Sequence, residues 1–475
     1  ANRKLDDLAT DPVVELFFDE TNPIEENRRT RVRRFKGDPE VVTAELDEIE
    51  RLKTLWNGRE RLSALANVTT QRNYSALATG GRHVLTWVDL DRDGIVDAGE
   101  QKAFASGSFG NGNFGILNTQ SLADAQKLVN YSRGQDFNDL RNRTIDYKNN
   151  NTPQVMRMGD IVQSTPTAVS QPAESFDLLY DDATYATFRE RYRNRRQVVY
   201  VGANDGMLHA FNGGFYDAAD RAFDLTGNNS EVSHPLGAEL WAYVPFNLLP
   251  HLTWFSDPDY THVWGLDGKP RIFDARIYDN KTCADATHPC GWATLLVVGF
   301  RFGGGDLTLP ARKGGSVTSG FADFHAAQAF PNNGTLKTRS AFVVLDVTDP
   351  ESPPKVLAEI ASDEIGFASS FPTVVANRGR GLKPGDAANT DDAWYLVFGG
   401  GPDNLDTTIT NLGEAQSSRN GKFFVYDLKK LVAATPSVAP AKVYDLGATA
   451  AKSFVTDPVT VDWDLDFRAD TVYFG

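Results

Sequence analysis

The sequence predicts a mainly β protein, a modified β-propeller that carries an N-terminal α/β extension. Four kinds of short apolar strand recur in the same order along the chain, and turn-forming glycine, asparagine, aspartate and proline lie between them. Radially repeated four-stranded sheets have this signature. A two-sheet sandwich could share single motifs by coincidence, but the preserved order of different strands favours the propeller.

The clearest repeat unit surrounds a predicted hairpin formed by Val198–Val201 and Met207–Phe211. The turn between these strands is rich in residues that tolerate positive φ, which is a hairpin signal. A third apolar run follows at Glu239–Pro245, and a fourth precedes the hairpin at Ser164–Val169. Together the runs predict one four-stranded unit.

Two marks identify further units along the chain. An opening strand follows each of Pro166, Pro270, Pro372 and Pro458, and a second strand closes on each of Gly202, Gly299, Gly399 and Gly475. The prolines are spaced at about twice a compact propeller repeat, so each unit must contain insertions. Residues 181–191 are predicted to be a helical insertion, and the glycine-rich stretch 302–327 a long loop. Both are predicted recognition surfaces, because loops carry binding while the scaffold carries stability.

The extension is predicted to cover residues 1–150, and the propeller residues 155–475. Within the extension, apolar residues spaced by three and four between Val41 and Leu55 predict a helix with one buried face. His83–Val88 is a predicted strand, and Ser121 is the predicted N-cap of a second helix.

Charge and hydropathy exclude several classes of protein. The net charge is −15, whereas a nucleic-acid partner needs a basic face. No apolar run approaches the roughly 20 residues that cross a bilayer, and the polar first residues do not form a signal peptide. Gly475 closes a second strand that would lack its partners, so we expect the chain to be a fragment with further blades after it.

The chain has two cysteines, Cys283 and Cys290, close together in a polar loop. Their spacing predicts a disulfide and hence a location outside the cytoplasm. Two free thiols, or a metal site that includes His288, are the alternatives.

A calcium-loop pattern occupies Asp89–Glu100. Oxygen ligands are expected from Asp89, Asp91, Asp93, the carbonyl of Ile95, Asp97 and Glu100, while Gly94 permits the sharp turn at the sixth position. A strand precedes this loop and no second loop is paired with it, so we expect a structural Ca²⁺ clamp rather than a sensor. An acidic surface loop without a cation is the alternative.

A second, less complete pattern lies near the end of the chain. Its expected ligands are Asp462, Asp464, Asp466, the carbonyl of Arg468 and Asp470. Phe467 stands where the pattern has glycine, and Tyr473 where it has an acid. A solvated acidic turn between two strands is the alternative to a calcium site.

Five segments in this order resemble the C-terminal domain of the PilY/PilC type IV pilus proteins: Gly159–Pro166, Tyr200–Phe211, Glu239–Pro245, Trp292–Gly299 and Leu345–Pro350. The resemblance implies a modified propeller at the pilus tip that acts in pilus assembly, retraction control, surface attachment and twitching motility. It implies minor pilins or the tip complex, and host or abiotic surface ligands, as partners. It also implies an extracellular location reached through the periplasm and outer membrane, and a calcium loop at Asp462–Asp470. The metal motif of the von Willebrand A domain found in many members is absent from this sequence.

An enzyme is the alternative function. Tyr200–Phe211 also resembles the blades of quinoprotein dehydrogenases, which hold pyrroloquinoline quinone and calcium on the propeller axis. The seven histidines are scattered and no catalytic constellation is visible, so we predict no enzymatic activity. His209 lies on a predicted strand, where we expect a packed core histidine.

Overall fold

The computed structural model describes residues 13–21, 29–35, 47–48, 54–76, 80–89, 93–146, 151–217, 222–224, 234–309, 336–377, 392–405 and 415–475. Within these ranges, none of the helices combines the length and apolarity needed to cross a membrane.

The strands of the first half are β1 (Val13–Asp19), β2 (Arg29–Phe35), β3 (Asp47–Glu48), β4 (Val84–Trp87), β5 (Gln101–Ala103), β6 (Thr144–Ile145), β7 (Gln154–Val155), β8 (Thr167–Val169), β9 (Gln197–Gly202), β10 (Leu208–Asp217), β11 (Ala222–Asp224) and β12 (Glu239–Val244). Those of the second half are β13 (Arg271–Arg276), β14 (Trp292–Gly299), β15 (Leu307–Leu309), β16 (Leu336–Thr338), β17 (Phe342–Asp346), β18 (Lys355–Ile360), β19 (Thr373–Asn377), β20 (Ala393–Gly399), β21 (Asn404–Leu405), β22 (Ala415–Gln416), β23 (Lys422–Asp427), β24 (Lys442–Asp445), β25 (Val459–Val461) and β26 (Thr471–Tyr473).

The α-helices are α1 (Gly58–Ser63), α2 (Leu122–Ser132), α3 (Phe176–Leu179), α4 (Ala183–Tyr192) and α5 (Leu252–Phe255). Ser121 caps α2 by accepting a hydrogen bond from the Asp124 amide, as predicted. Asp182 caps α4 in the same way, and this helix confirms the predicted helical insertion at 181–191.

The strands form successive blades of a propeller. The second blade has the order β13-β14-β17-β18 and the third the order β19-β20-β23-β24, both as antiparallel meanders. The first blade contains the predicted unit β8-β9-β10-β12, and the hairpin β25-β26 begins a fourth. Each proline-led strand lies at one edge of its sheet, which confirms the predicted order.

The closing glycines mark the seams between blades. A Cβ on each of the first three would lie 2.3 Å from a carbonyl oxygen just before the next opening strand: Gly202 against Leu266, Gly299 against Ala368 and Gly399 against Val455. No side chain fits at that distance, which explains why the second strand ends on glycine. Hydrogen bonds across these seams also bring the opening strands together. Thr460 Oγ1, for example, donates to the Val374 carbonyl at 3.1 Å.

The N-terminal region is continuous with the first blade. β4 pairs with β12 in parallel, and β5 pairs with β4, so the sheet has the order β5-β4-β12-β10-β9-β8. All four residues of β4 are buried. The predicted division between residues 1–150 and 155–475 therefore does not coincide with a break between sheets.

The predicted helix between Val41 and Leu55 is wrong at Asp47–Glu48. These residues form a strand that pairs with Arg31 and Val32 of β2. Pairing to a neighbouring strand outweighed a weak helical pattern, because propensity is easily overridden by tertiary contacts. Most of the remaining residues of that prediction lie outside the described ranges, as do 310–327 of the predicted glycine-rich loop.

The insertion helix α4 packs into the core, and Phe176 of α3 packs against the same cluster. Tyr185, Phe188 and Tyr192 of α4 are buried and share a hydrophobic cluster with Trp292 of the second blade and Trp394 of the third. The face of α4 that carries these rings therefore has a structural role, since it packs against both the second and the third blade. The expectation that the whole insertion serves recognition is wrong for this face.

Candidate functional site

The loop between β25 and β26 gathers three carboxylates. Asp462, Asp464 and Asp470 each place one oxygen so that all three lie within 4.8 Å of one another. Asp462 is half-buried, and the other two side chains are exposed. Three convergent carboxylate oxygens form a donor set for a hard divalent cation.

Backbone amides fix the shape of this loop. Asp462 accepts hydrogen bonds from the amides of Asp466 at 3.3 Å and Phe467 at 2.9 Å. Asp470 accepts one from the Trp463 amide at 2.7 Å. The chain therefore coils around Asp462, as a calcium loop coils around its first ligand.

Phe467 occupies the position at which the pattern has glycine, and its backbone adopts the glycine-like conformation with φ of 68°. For a residue with a side chain this costs about 1–2 kcal/mol. The ring is only 4% exposed and packs against Tyr180 and Phe176, with centroid separations of 4.3 and 5.0 Å. Burying an aromatic ring contributes about 2 kcal/mol or more, which offsets the strain.

The insertion of the first blade holds the loop from the other side. The Tyr180 hydroxyl donates a hydrogen bond to Asp462 at 3.0 Å, across 282 residues of sequence. Phe176 packs against both Phe467 and Trp292 of the second blade, with centroid separations of 5.0 and 5.6 Å. The second acidic loop is thus seated on an aromatic cluster built from several blades.

The other two predicted ligands in this loop are Asp466 and the carbonyl of Arg468. Asp466 is outside the group of converging carboxylates. The Arg468 side chain donates to Asn377 at 3.1 Å, and its backbone forms a β-bridge to the same residue, which ties the loop to the third blade. A ligand role for the Arg468 carbonyl stays a prediction.

The first acidic loop, Asp89–Glu100, has a different organisation. Asp89 accepts a hydrogen bond from the Gly94 amide at 3.1 Å, and Asp93 accepts one from the Ile95 amide at 2.7 Å. Gly94 has φ of 76°, as the sixth position requires. Asp91 lies outside the described residues, so the arrangement of the complete ligand set stays a prediction.

The last acid of this loop is turned toward the core. Glu100 is 5% exposed, and its Oε2 accepts hydrogen bonds from the Trp87 indole and the Asp97 amide, both at 3.0 Å. Among the described residues, the carboxylates of this loop do not form a convergent group like that of Asp462, Asp464 and Asp470.

Cys283 and Cys290 are joined by a disulfide, with their Cα atoms 3.9 Å apart. His288, the ligand of the alternative metal site, instead places Nε2 2.8 Å from an Asp346 oxygen. Burial alone would raise the pKa of Asp346, but the hydrogen bond and charge of His288 outweigh it and lower that pKa. His288 is therefore a structural residue of the second blade, where it is paired with Asp346.

A buried ionic network fastens the extension to the first blade. Arg82 Nε and one terminal nitrogen each donate to a Glu239 oxygen at 2.7 Å, and His209 Nδ1 lies 2.8 Å from Glu239. Burial would lower the pKa of His209, but the carboxylates of Asp205 and Glu239 outweigh it and raise the pKa to about 9. His209 is fully buried, as expected of a core histidine.

Comparison with known proteins shows which proteins this chain is similar to. Residues 158–233, which begin just before β8 and contain the hairpin of the first blade, match the PilY1 beta-propeller domain. A type IV pilus biogenesis factor PilY1 homolog from Xylella fastidiosa is 28% identical over 312 residues, or 62% of this chain. The type IV pilus biogenesis factor PilY1 of Pseudomonas aeruginosa is 27% identical over 331 residues, or 67% of this chain. These matches confirm the resemblance to the PilY1 family that the sequence motifs indicated.

These PilY1 relatives are much longer proteins. The matched regions cover 18% of the Xylella protein and 20% of the Pseudomonas protein, so the chain spans about a fifth of the length of these curated relatives. The crystal structure of the Pseudomonas aeruginosa PilY1 C-terminal domain aligns over 65% of this chain and 43% of that chain, with 20% identity and a TM-score of 0.36.

Proposed function

We propose that this chain is the propeller portion of a type IV pilus biogenesis factor that acts at the pilus tip. Its roles would be pilus assembly, control of retraction, surface attachment and twitching motility, with minor pilins or the tip complex as partners. The proposal is supported by the names of the PilY1 relatives and by an architecture of rigid blades with long insertions. It places the protein at the cell surface.

We further propose that the propeller binds Ca²⁺ at its acidic loops. The observation that carries this proposal is the convergence of Asp462, Asp464 and Asp470 within 4.8 Å. An all-oxygen donor set suits Ca²⁺ better than softer metals. When bound, the cation would neutralise the mutual repulsion of these carboxylates. Tyr180 and the loop amides would orient Asp462, and Phe467 would anchor the loop to the blades.

Calcium titration by calorimetry tests this proposal. We expect Asp464→Ala to remove one binding event and Asp91→Ala to remove a second, while chelation lowers the melting temperature of the wild type. Asp259→Ala, an exposed acid in a turn outside both loops, is the matched control and should bind as the wild type does. A wild type that gives no binding heat and melts identically with chelator would contradict the calcium proposal.

Two further tests address the pilus role. Tagged full-length protein should retain minor pilins in a pulldown, and deletion of the gene should abolish twitching on agar. We propose no catalytic activity, so added pyrroloquinoline quinone should support no dye reduction with alcohol substrates. Turnover in that assay would favour the dehydrogenase alternative.

A further inference from the structure

A pocket of about 380 Å³ opens where the opening strands of the second and third blades meet β25. Its walls come from β13, β19 and β25, and from the segment that leads into α3. Residues at its edge such as Arg271 and Val374 are half-buried, so the pocket is reached from solvent. It lies beside the second acidic loop and shares Asp462 and Phe467 with it.

Two hydrogen-bond donors in the wall lack acceptors. The Trp394 Nε1 and Arg271 Nε atoms are shielded from solvent and have no partner among the described residues. Trp394 is only 2% exposed. Two other buried indoles are satisfied, since Trp292 donates to Thr184 and Trp87 to Glu100, each at 3.0 Å. Because unmade buried hydrogen bonds are costly and rare, an oxygen supplied by a ligand would complete this wall.

The charges around the pocket restrict the kind of ligand. The carboxyl groups of Glu174, Asp274 and Asp462 line the pocket together with one guanidinium, that of Arg271. Burial raises the pKa of both Glu174 and Asp274. An anionic ligand would meet an excess of carboxyl groups, and a purely cationic one would leave the two donors unpaired. A neutral ligand that both donates and accepts satisfies both sets, and hydroxyl groups have this property.

The remaining surface is formed by aromatic and aliphatic side chains and two threonines. The rings of Phe176, Tyr180, Phe273, Trp394 and Phe467 line the pocket, next to the hydroxyls of Thr373 and Thr460. Apolar walls with a few polar groups are usual in ligand sites of this size. A sugar ring presents apolar C–H faces to such walls and hydroxyls along its edge.

From these observations, we propose that this pocket binds a neutral saccharide, with Trp394 and Arg271 donating hydrogen bonds to its oxygens and the aromatic rings packing against its faces. This site goes beyond the pilus role proposed above. It does not depend on Ca²⁺, although Asp462 contributes to both sites.

The test is binding of free monosaccharides to the full chain, measured by NMR titration at neutral pH. The probes are glucose, galactose, mannose and N-acetylglucosamine, with glucuronate as the charged counterpart. We expect at least one neutral sugar to bind, and glucuronate to bind at least about tenfold more weakly, because its carboxylate would meet the carboxyl groups of the pocket.

Variants locate the site. Trp394→Phe keeps a ring but removes the N–H, and Arg271→Met keeps the stem but removes the donor. Each should weaken binding about fivefold or more through one lost hydrogen bond. Trp254→Phe and Arg193→Met, outside the pocket, should bind as the wild type does. Thermal melting checks that each variant folds, and Arg271→Met carries the test if the core residue Trp394 does not tolerate replacement.

The proposal is overturned if no neutral sugar binds, or if glucuronate binds as well as the neutral sugars. It is also overturned if both pocket variants fold and bind like the controls. Because neither Trp394 nor Arg271 belongs to the acidic loop, failure here is distinguishable from failure of calcium binding.

Discussion

The two acidic loops of this chain are held in place by different kinds of contact. The first follows β4, a strand held in place by the buried charges of Arg82, Glu239 and His209. The second rests on a cluster of aromatic rings that includes Phe467 and Tyr180. The first has the complete sequence pattern, yet the described carboxylates that converge belong to the second. The sequence pattern alone therefore does not predict which of the described carboxylates converge.

The largest expected effect tests the buried ionic network of Arg82, Glu239 and His209. Glu239→Gln leaves the buried guanidinium of Arg82 without its carboxylate and should destabilise the fold by about 4 kcal/mol. Urea denaturation measures this loss. Glu364→Gln, which removes an exposed partner of Lys422, is the matched control and should cost less than about 1 kcal/mol. Similar losses in both variants would mean that the buried network does not hold the extension.

The pH dependence of unfolding tests the same buried ionic network. Because the folded pKa of His209 is raised from 6.5 to about 9, its stabilising contribution is complete below pH 6.5 and is lost as the pH rises to about 9. The loss should be on the order of 3 kcal/mol. Guanidinium titrations across this range should show the decline in the wild type and a flatter profile in His209→Gln. A wild type of constant stability between these pH values would contradict the assignment.

Phe467→Leu tests the aromatic cluster that supports the second acidic loop. The smaller side chain keeps the positive φ but loses ring contacts with Tyr180 and Phe176, so stability should fall by about 2 kcal/mol. Calcium affinity at the second loop should fall with it, while the first loop is unaffected. Phe474→Leu, at a ring that is 41% exposed, is the control for denaturation and calorimetry. Unchanged affinity in Phe467→Leu would show that the loop keeps its shape without the anchor.

The smallest expected effect concerns the hydroxyl that orients Asp462. Tyr180→Phe removes one hydrogen bond and should cost about 1 kcal/mol, with a modest loss of calcium affinity. Tyr444→Phe changes a 51% exposed ring and should alter neither quantity. Calorimetry on both variants decides whether the insertion of the first blade contributes to the second loop.

Much of the propeller could be predicted because its signals are local. A proline before each opening strand and a glycine after each second strand are visible within a few residues, and the structure gives the glycines a steric reason at the seams. The caps at Ser121 and Asp182 are also local, so α2 and α4 lie where the sequence predicted helices.

The missed features depend on distant partners. Asp462 receives a hydrogen bond from Tyr180, 282 residues earlier, and no spacing within the acidic loop indicates it. The sequence shows that Phe467 replaces the glycine of the pattern. It does not show that burial of the ring offsets the backbone strain, because that burial depends on where α3 lies. Asp47–Glu48 form a strand because they pair with the edge of β2. The spacing of apolar residues within the segment cannot predict this pairing.

The parallel pairing of β4 with β12 has a consequence for how the protein is made. Thr86 of β4 bonds to Val244, 158 residues further along, so the partner strand leaves the ribosome long after β4 does. At about 5–20 residues per second, the delay is about 10–30 s. During that interval Val84, Leu85 and Trp87, which are buried in the finished sheet, lack the cover that β12 provides. A nascent chain stalled before Glu239 would keep them exposed and prone to aggregate.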